Sequence, residues 1–111
     1  MNRLHLSGAA QEDLAQIKAY IAQELESPQA ALSVVRRVTK SIRMLKDHAY
    51  AGAPLSSVAD TKSDYRFLVS GQYLVFYRVY GQDVYVDRVL YGRRNYLQVL
   101  FGNTLPIEPD E

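Results

Sequence analysis

Residues 73–101 read YLVFYRVYGQDVYVDRVLYGRRNYLQVLF. A β-branched and aromatic run, a Gly81-Gln82 pair and a second such run predict a tight hairpin. Tyr73–Tyr80 is the first of its strands and Val84–Tyr91 the second. Upstream, Asp64–Val69 predicts a third strand, joined through Ser70-Gly71-Gln72. Short connections make the three an antiparallel meander. Downstream, Gly92-Arg93-Arg94-Asn95-Tyr96 gathers cations and an aromatic beside the sheet, which suits contact with a polyanion or an acidic partner. Arg93–Phe101 predicts a short terminal helix with Leu97, Leu100 and Phe101 on its apolar side.

Working back towards the N-terminus, Ala51–Lys62 is rich in small residues, with Gly52 and Pro54, and reads as a loop. Before it, Ala31, Val35, Val38, Ile42 and Leu45 repeat at helical spacing. Ser27-Pro28 supplies a cap and a proline at the first helical position, where a missing N–H costs nothing. A second stripe of Ala10, Leu14, Ile17, Ile21 and Leu25 follows a capping Ser7. The two helices predict an antiparallel hairpin joined by one turn. Arg3–Leu6 alternates weakly, as a first strand would. The fold class is α+β: β-α-α-β-β-β with a short C-terminal helix, the helical hairpin packed on a small antiparallel sheet.

The chain has 111 residues, 48% apolar and 23% charged. These are values of an ordered domain rather than a disordered segment. Residues 1–102 read as one domain and 103–111, with two prolines and three acids, as an acidic tail. No cysteine is present, so disulfides, thiolate metal sites and cysteine nucleophiles are excluded. No signal-peptide or membrane-spanning pattern stands out, which makes a cytoplasmic protein the expectation. Nothing in the motif pattern asks for a metal or a cofactor. The net charge of +1 hides Arg36, Arg37, Lys40, Arg43 and Lys46, five cations with no acid among residues 36–46. A solvated helix face is the plain account of that run.

With Gly81-Gln82 as a two-residue turn, Val79 faces Val84, Tyr77 faces Val86 and Val75 faces Arg88. One face then carries Tyr73, Val75, Tyr77, Val79, Val84, Val86, Arg88 and Leu90, and neither face of the sheet is polar. One helical hairpin covers one face, so an apolar face remains for a partner. Arg78 and Asp87 sit diagonally across strands and are expected to pair structurally.

The order of these pieces resembles the RelE/ParE superfamily, toxins of type II toxin–antitoxin modules. The resemblance covers residues 3–101. It rests on Asp13-Leu14 with Ile17 and Tyr20, Ser27-Pro28-Gln29-Ala30-Ala31, Asp64-Tyr65-Arg66, Gly71–Val79 and Arg88–Tyr96. It implies a growth-inhibiting toxin neutralised by a cognate antitoxin, which would bind Tyr73, Val75, Tyr77, Val79, Val84, Val86 and Leu90. RelE-like members cut mRNA on the ribosome; ParE-like members poison DNA gyrase without chemistry of their own. Carried over, the cations of the nuclease branch fall on Arg66, Arg93 and Arg94, with Tyr96 as the available acid. Further cation positions fall on Leu68 and Leu74, and the terminal tyrosine position falls near Leu100 or Phe101. None of these moves a proton, and losing one charge-stabilising donor alone costs about 3 kcal/mol, roughly a hundredfold in rate. The resemblance therefore leans to a non-catalytic gyrase poison of the ParE-like branch, with Arg66, Arg88, Arg93, Arg94 and Tyr96 as its target-binding residues. A metal-independent, ribosome-dependent endoribonuclease is the alternative, and a non-toxic RNA-binding module using tyrosine stacking is a further one.

Overall fold

The computed structural model describes residues 1–59 and 62–102; the expected acidic tail, 103–111, lies outside the described residues. The elements are β1 (Arg3–Leu6), α1 (Gly8–Glu24), α2 (Pro28–Met44), β2 (Ala53–Pro54), β3 (Arg66–Ser70), β4 (Tyr73–Tyr80), β5 (Asp83–Tyr91) and α3 (Tyr96–Phe101), with a 3₁₀ turn over Leu55–Ser57. Both helix starts follow from their caps. The Ser7 hydroxyl accepts from the Ala10 amide at 2.9 Å and donates to the Asp87 carbonyl at 2.7 Å, so one side chain both starts α1 and ties it to the sheet. Ser27 caps α2 through the Ala30 amide at 3.1 Å, with Pro28 next.

The five strands run in the order β1-β5-β4-β3-β2. β1 joins β5 in parallel, so the sheet is mixed rather than purely antiparallel. β2 lies within the segment expected to be a loop. Two residues are too few to show a period, and Pro54 is tolerated because it sits on an edge. The pairs Ser70↔Tyr73 and Tyr80↔Asp83 leave two residues in each hairpin turn. Gly71 and Gly81, the first turn residues, both have φ of 60°, a conformation glycine adopts without strain.

The register departs from expectation at one place. Val79↔Val84 and Tyr77↔Val86 pair as anticipated, but Phe76 pairs with Arg88 and Val75 with Val89. Asp87 is thus the extra residue of a β-bulge. One inserted residue inverts the alternation beyond it, because side chains on a strand have a period of two. Val89 consequently joins Val75, Tyr77, Val84 and Val86 in the core beneath the helices. Leu90 turns to the opposite face, where it is buried with Phe76 and Leu55.

This corrects the face assigned to the antitoxin. Val75, Tyr77, Val84 and Val86 are fully buried under α1 and α2, with Tyr73 and Val79 packed half-buried at the margins. The other face is not left bare either. Tyr96, Leu97, Val99, Leu100 and Phe101 of the terminal segment pack on Phe76 and Leu90 there. Burying one such large side chain is worth about 1.5–3 kcal/mol, so a six-residue helix has enough apolar contact to hold its place. Tyr77 also does polar work: its hydroxyl accepts from the Gly52 amide at 2.9 Å inside the core. A Cβ at residue 52 would lie 2.4 Å from the Phe67 carbonyl oxygen, which leaves room for glycine alone.

The two layers are joined by a buried carboxylate. Asp13, 6% exposed on the inner face of α1, accepts from Arg88 Nε and Nη2 at 2.8 Å each and from the Val89 amide at 2.9 Å. The hydrogen bond to Asp13 raises the Arg88 pKa above its usual value, so the cation is fixed. Asp13→Ala leaves a partly buried guanidinium and a buried amide without this partner. Urea unfolding of that variant should show a loss of about 3 kcal/mol or more, whereas an unchanged midpoint would mean the ion pair is ornamental.

Candidate functional site

A groove of about 700 Å³ runs between the helical hairpin and the ends of β3, β4 and β5. Its helix wall is Ile17, Tyr20, Ile21 and Leu25 of the α1 side with Val34 and Val38 of α2. Its sheet wall is the Gly71-Gln72 turn, Tyr73, Leu90 and Tyr91. Tyr20 and Leu25 are 62% and 63% exposed, so Leu25 belongs to this opening rather than to the core stripe in which its spacing placed it. Tyr73 and Tyr91 meet edge to face, with ring centres 5.9 Å apart, and burial pushes the Tyr73 phenol pKa up. Arg37 and Arg94 stand on the lining, Glu24 marks the α1 end, and Asp13 is occupied by Arg88 in the floor.

The basic turn is folded back beside this groove. The Gly92 amide donates to the Gln72 carbonyl at 2.9 Å, the Arg94 amide to the Tyr91 carbonyl at 2.9 Å and the Tyr96 amide to the Arg94 carbonyl at 2.7 Å. Asn95 then caps α3 by accepting from the Gln98 amide. Arg93 and Arg94 are exposed, and neither is in an ion pair among the described residues.

The residues expected to act together do not assemble. Arg66 lies opposite Tyr77, while the basic turn continues from Tyr91, which lies opposite Tyr73. Four residues of strand, ~13 Å at about 3.3 Å each, separate the two ends. The Arg66 guanidinium is tied down as well: it donates to the Gly52 carbonyl at 3.1 and 2.7 Å and lies over the Tyr50 ring. Arg88 is held by Asp13. The Tyr96 ring packs on Phe76, 5.3 Å between centres, on the sheet face opposite the helices. Of these residues, Arg93 and Arg94 remain together, with Tyr73 in the neighbouring groove. Asp13 was missed as a site-defining residue; the signal was an acid at position 13, three residues after Ala10 and four before Ile17, where helical spacing calls for an apolar side chain.

A second polar cluster lies on the opposite face of the sheet. Asp87, displaced by the bulge, pairs with Arg78 Nη2 at 2.8 Å, the diagonal pair expected from the sequence. It also accepts from the Tyr65 hydroxyl at 2.8 Å. Nearby, the Tyr80 hydroxyl donates to Asp64, and His5 stacks on Tyr85 while its Nε2 meets Asp83 at 2.9 Å. The hydrogen bonds from Arg3 and His5 hold the Asp83 carboxyl well below the usual range. Among the described residues, no helix is long and apolar enough to cross a membrane.

A helical hairpin on a mixed sheet, closed by a basic turn, is the architecture of toxins from type II toxin–antitoxin modules. Residues 4–96 match the family described as ParE toxin of type II toxin-antitoxin system, parDE, and the chain belongs to that family. It is 35% identical over 95 residues to Toxin ParE1 of Caulobacter vibrioides, covering 86% of this chain and 94% of that protein. Among solved structures it is similar to the chromosomal ParDE TA system from P. aeruginosa, with a TM-score of 0.69 at 24% identity over 82% of this chain and 96% of that one. A toxin of this family implies an antitoxin partner.

Burial, with the hydrogen bond to Asp87, raises the Tyr65 phenol pKa from 10.0 to about 12. A raised folded pKa favours the protonated form, so this contribution is whole below pH 10 and fades as pH climbs from 10.0 towards about 12. Denaturation midpoints of the wild type and Tyr65→Phe should converge across that window; a constant difference would place the phenol outside the network.

Proposed function

We propose that this chain is a ParE-like toxin which a cognate antitoxin holds inactive and which, when free, poisons DNA gyrase in the cytoplasm by binding rather than by chemistry. The observation that carries the reading is the separation of the cations. Phosphodiester cleavage needs a base, an acid and charge-stabilising donors around one phosphate. Here Arg66 and Arg88 are occupied elsewhere, and of the four candidate arginines Arg93 and Arg94 are the two in no ion pair or side-chain hydrogen bond among the described residues. Two free cations beside an aromatic groove suit a surface that docks on a macromolecule.

The groove is the antitoxin's seat in this reading. It offers apolar and aromatic walls with Arg37 and Arg94 among its lining. That chemistry fits an amphipathic segment whose apolar side chains enter the groove while flanking acids meet the arginines. Tyr20, exposed in the free toxin, becomes an anchor in the complex.

Two measurements test these assignments. Purified toxin added to gyrase and supercoiled DNA should make cleaved DNA accumulate, and Arg93→Ala with Arg94→Ala should lower that yield about tenfold or more. No cleaved DNA at saturating toxin, with cuts appearing instead in translated mRNA, would replace this reading with the nuclease one. Tyr20→Ala should weaken antitoxin binding about tenfold or more, in line with loss of an aromatic anchor, and leave gyrase poisoning intact. Equal affinity by calorimetry would move the antitoxin away from the groove.

A further inference from the structure

We infer that the outer face of α2 is a docking surface for the phosphate backbone of duplex DNA. At 100° per residue, Arg36, Lys40 and Arg43 project within about 50° of the direction opposite the buried residues Ala31, Val38, Ile42 and Leu45. All three are exposed, and none is in an ion pair among the described residues. Helix α2 carries no acidic residue from Pro28 to Met44, so nothing on the helix neutralises them. On the sheet the pattern is the reverse: Arg3, Arg78 and Arg88 each meet a carboxylate at 2.8 Å.

The chemistry of this face selects its occupant. A protein partner needs apolar or aromatic anchors at the centre of the contact. Between Arg36 and Arg43 the outward positions offer only charged and polar side chains, and the exposed apolar Leu32 and Met44 sit at the two ends of the run rather than at its centre. Single-stranded nucleic acid is held by aromatic stacking together with charge, and α2 has no aromatic residue. Duplex backbone needs cations alone. From Arg36 to Arg43 the helix rises ~10.5 Å, which spans about three phosphates of one strand at 3.4 Å of axial rise each. The surface deepens the gyrase reading, on which its biological purpose rests: the toxin would grip the DNA segment that gyrase holds while Arg93 and Arg94 engage elsewhere.

The test uses the free toxin, so that it stands apart from gyrase. Fluorescence anisotropy of a short labelled DNA duplex, repeated over a salt series, should give a log–log slope of about −2.7 for three neutralised phosphates. Arg36→Gln with Lys40→Gln and Arg43→Gln should weaken binding at least tenfold at low salt and remove most of that slope. Arg36→Lys with Arg43→Lys, which keeps the charge, should bind as the wild type does, and antitoxin binding should be retained by both variants as proof of folding. Single-stranded DNA of the same sequence should bind more weakly, and polyglutamate should compete poorly. Binding without salt dependence, a triple variant that binds normally, or polyglutamate competing as well as duplex would overturn the inference, the last in favour of an acidic protein surface. Salt-dependent duplex binding lost in the triple variant, but with no gyrase-cleaved DNA, would sink the gyrase reading and leave this surface standing.

Discussion

The position of α1 on the sheet depends on where one carboxylate can sit. Burial of the apolar stripe of α1, Ala10, Leu14, Ile17 and Ile21, is favourable but non-directional. Asp13 supplies a direction. Its two oxygens accept from a fork-shaped guanidinium and a backbone amide on consecutive residues, Arg88 and Val89. That arrangement exists only just beyond the bulge, where the strand bends. Removing charge from water is costly, and the pair is retained at a net contribution that is small beside its directional effect. With α1 fixed, α2 follows through the shared hairpin, and the gap between the hairpin and the β3–β4 turn opens as the groove.

The bulge has a matching role on the opposite face. Asp87 reaches Arg78 and Tyr65 there, while its neighbour Arg88 reaches Asp13 in α1. Adjacent residues thus clamp the two faces at one point of β5. The cations consequently fall into two populations. Arg3, Arg66, Arg78 and Arg88 hold the sheet and its flanking loop in shape; Arg36, Lys40, Arg43, Arg93 and Arg94 stand exposed on the periphery.

Much of this was legible in the sequence because the signals were local. Ser7, Ser27-Pro28, Gly71 and Gly81 announce helix starts and turns by their own stereochemistry, and of the α2 stripe Ala31, Val38, Ile42 and Leu45 are buried while Val35 is half-buried. What was not legible depends on residues far apart in the chain. The bulge has no glycine or proline to mark it, since Asp87 is placed by Arg78, Tyr65 and Ser7 rather than by its own propensity. Missing it put Leu90 on the face of Val75 and Tyr77, and with both faces apolar the sequence did not show which one the helices cover, so core residues looked like an open partner surface. The parallel seat of β1 and the short β2 edge are likewise set by partners more than ten residues away. The site was half readable: Arg93 and Arg94, singled out from the sequence, are exposed and in no ion pair among the described residues, but a sequence cannot show that Arg66 and Arg88 are already engaged.

β1 carries a consequence for the order of events in the cell. Arg3 to Leu6 pair residue for residue with Asp83 to Val86, so the first strand made waits for the last. Contacts of such sequence separation form late and slow the closing of a fold. A nascent chain has its helical hairpin early, but the sheet edge, the Asp13 clamp and the groove floor all require β5 to have left the ribosome. The groove and the Arg93–Arg94 turn beside it therefore take shape only once β5 is in place, well after the helical hairpin that forms the groove's other wall.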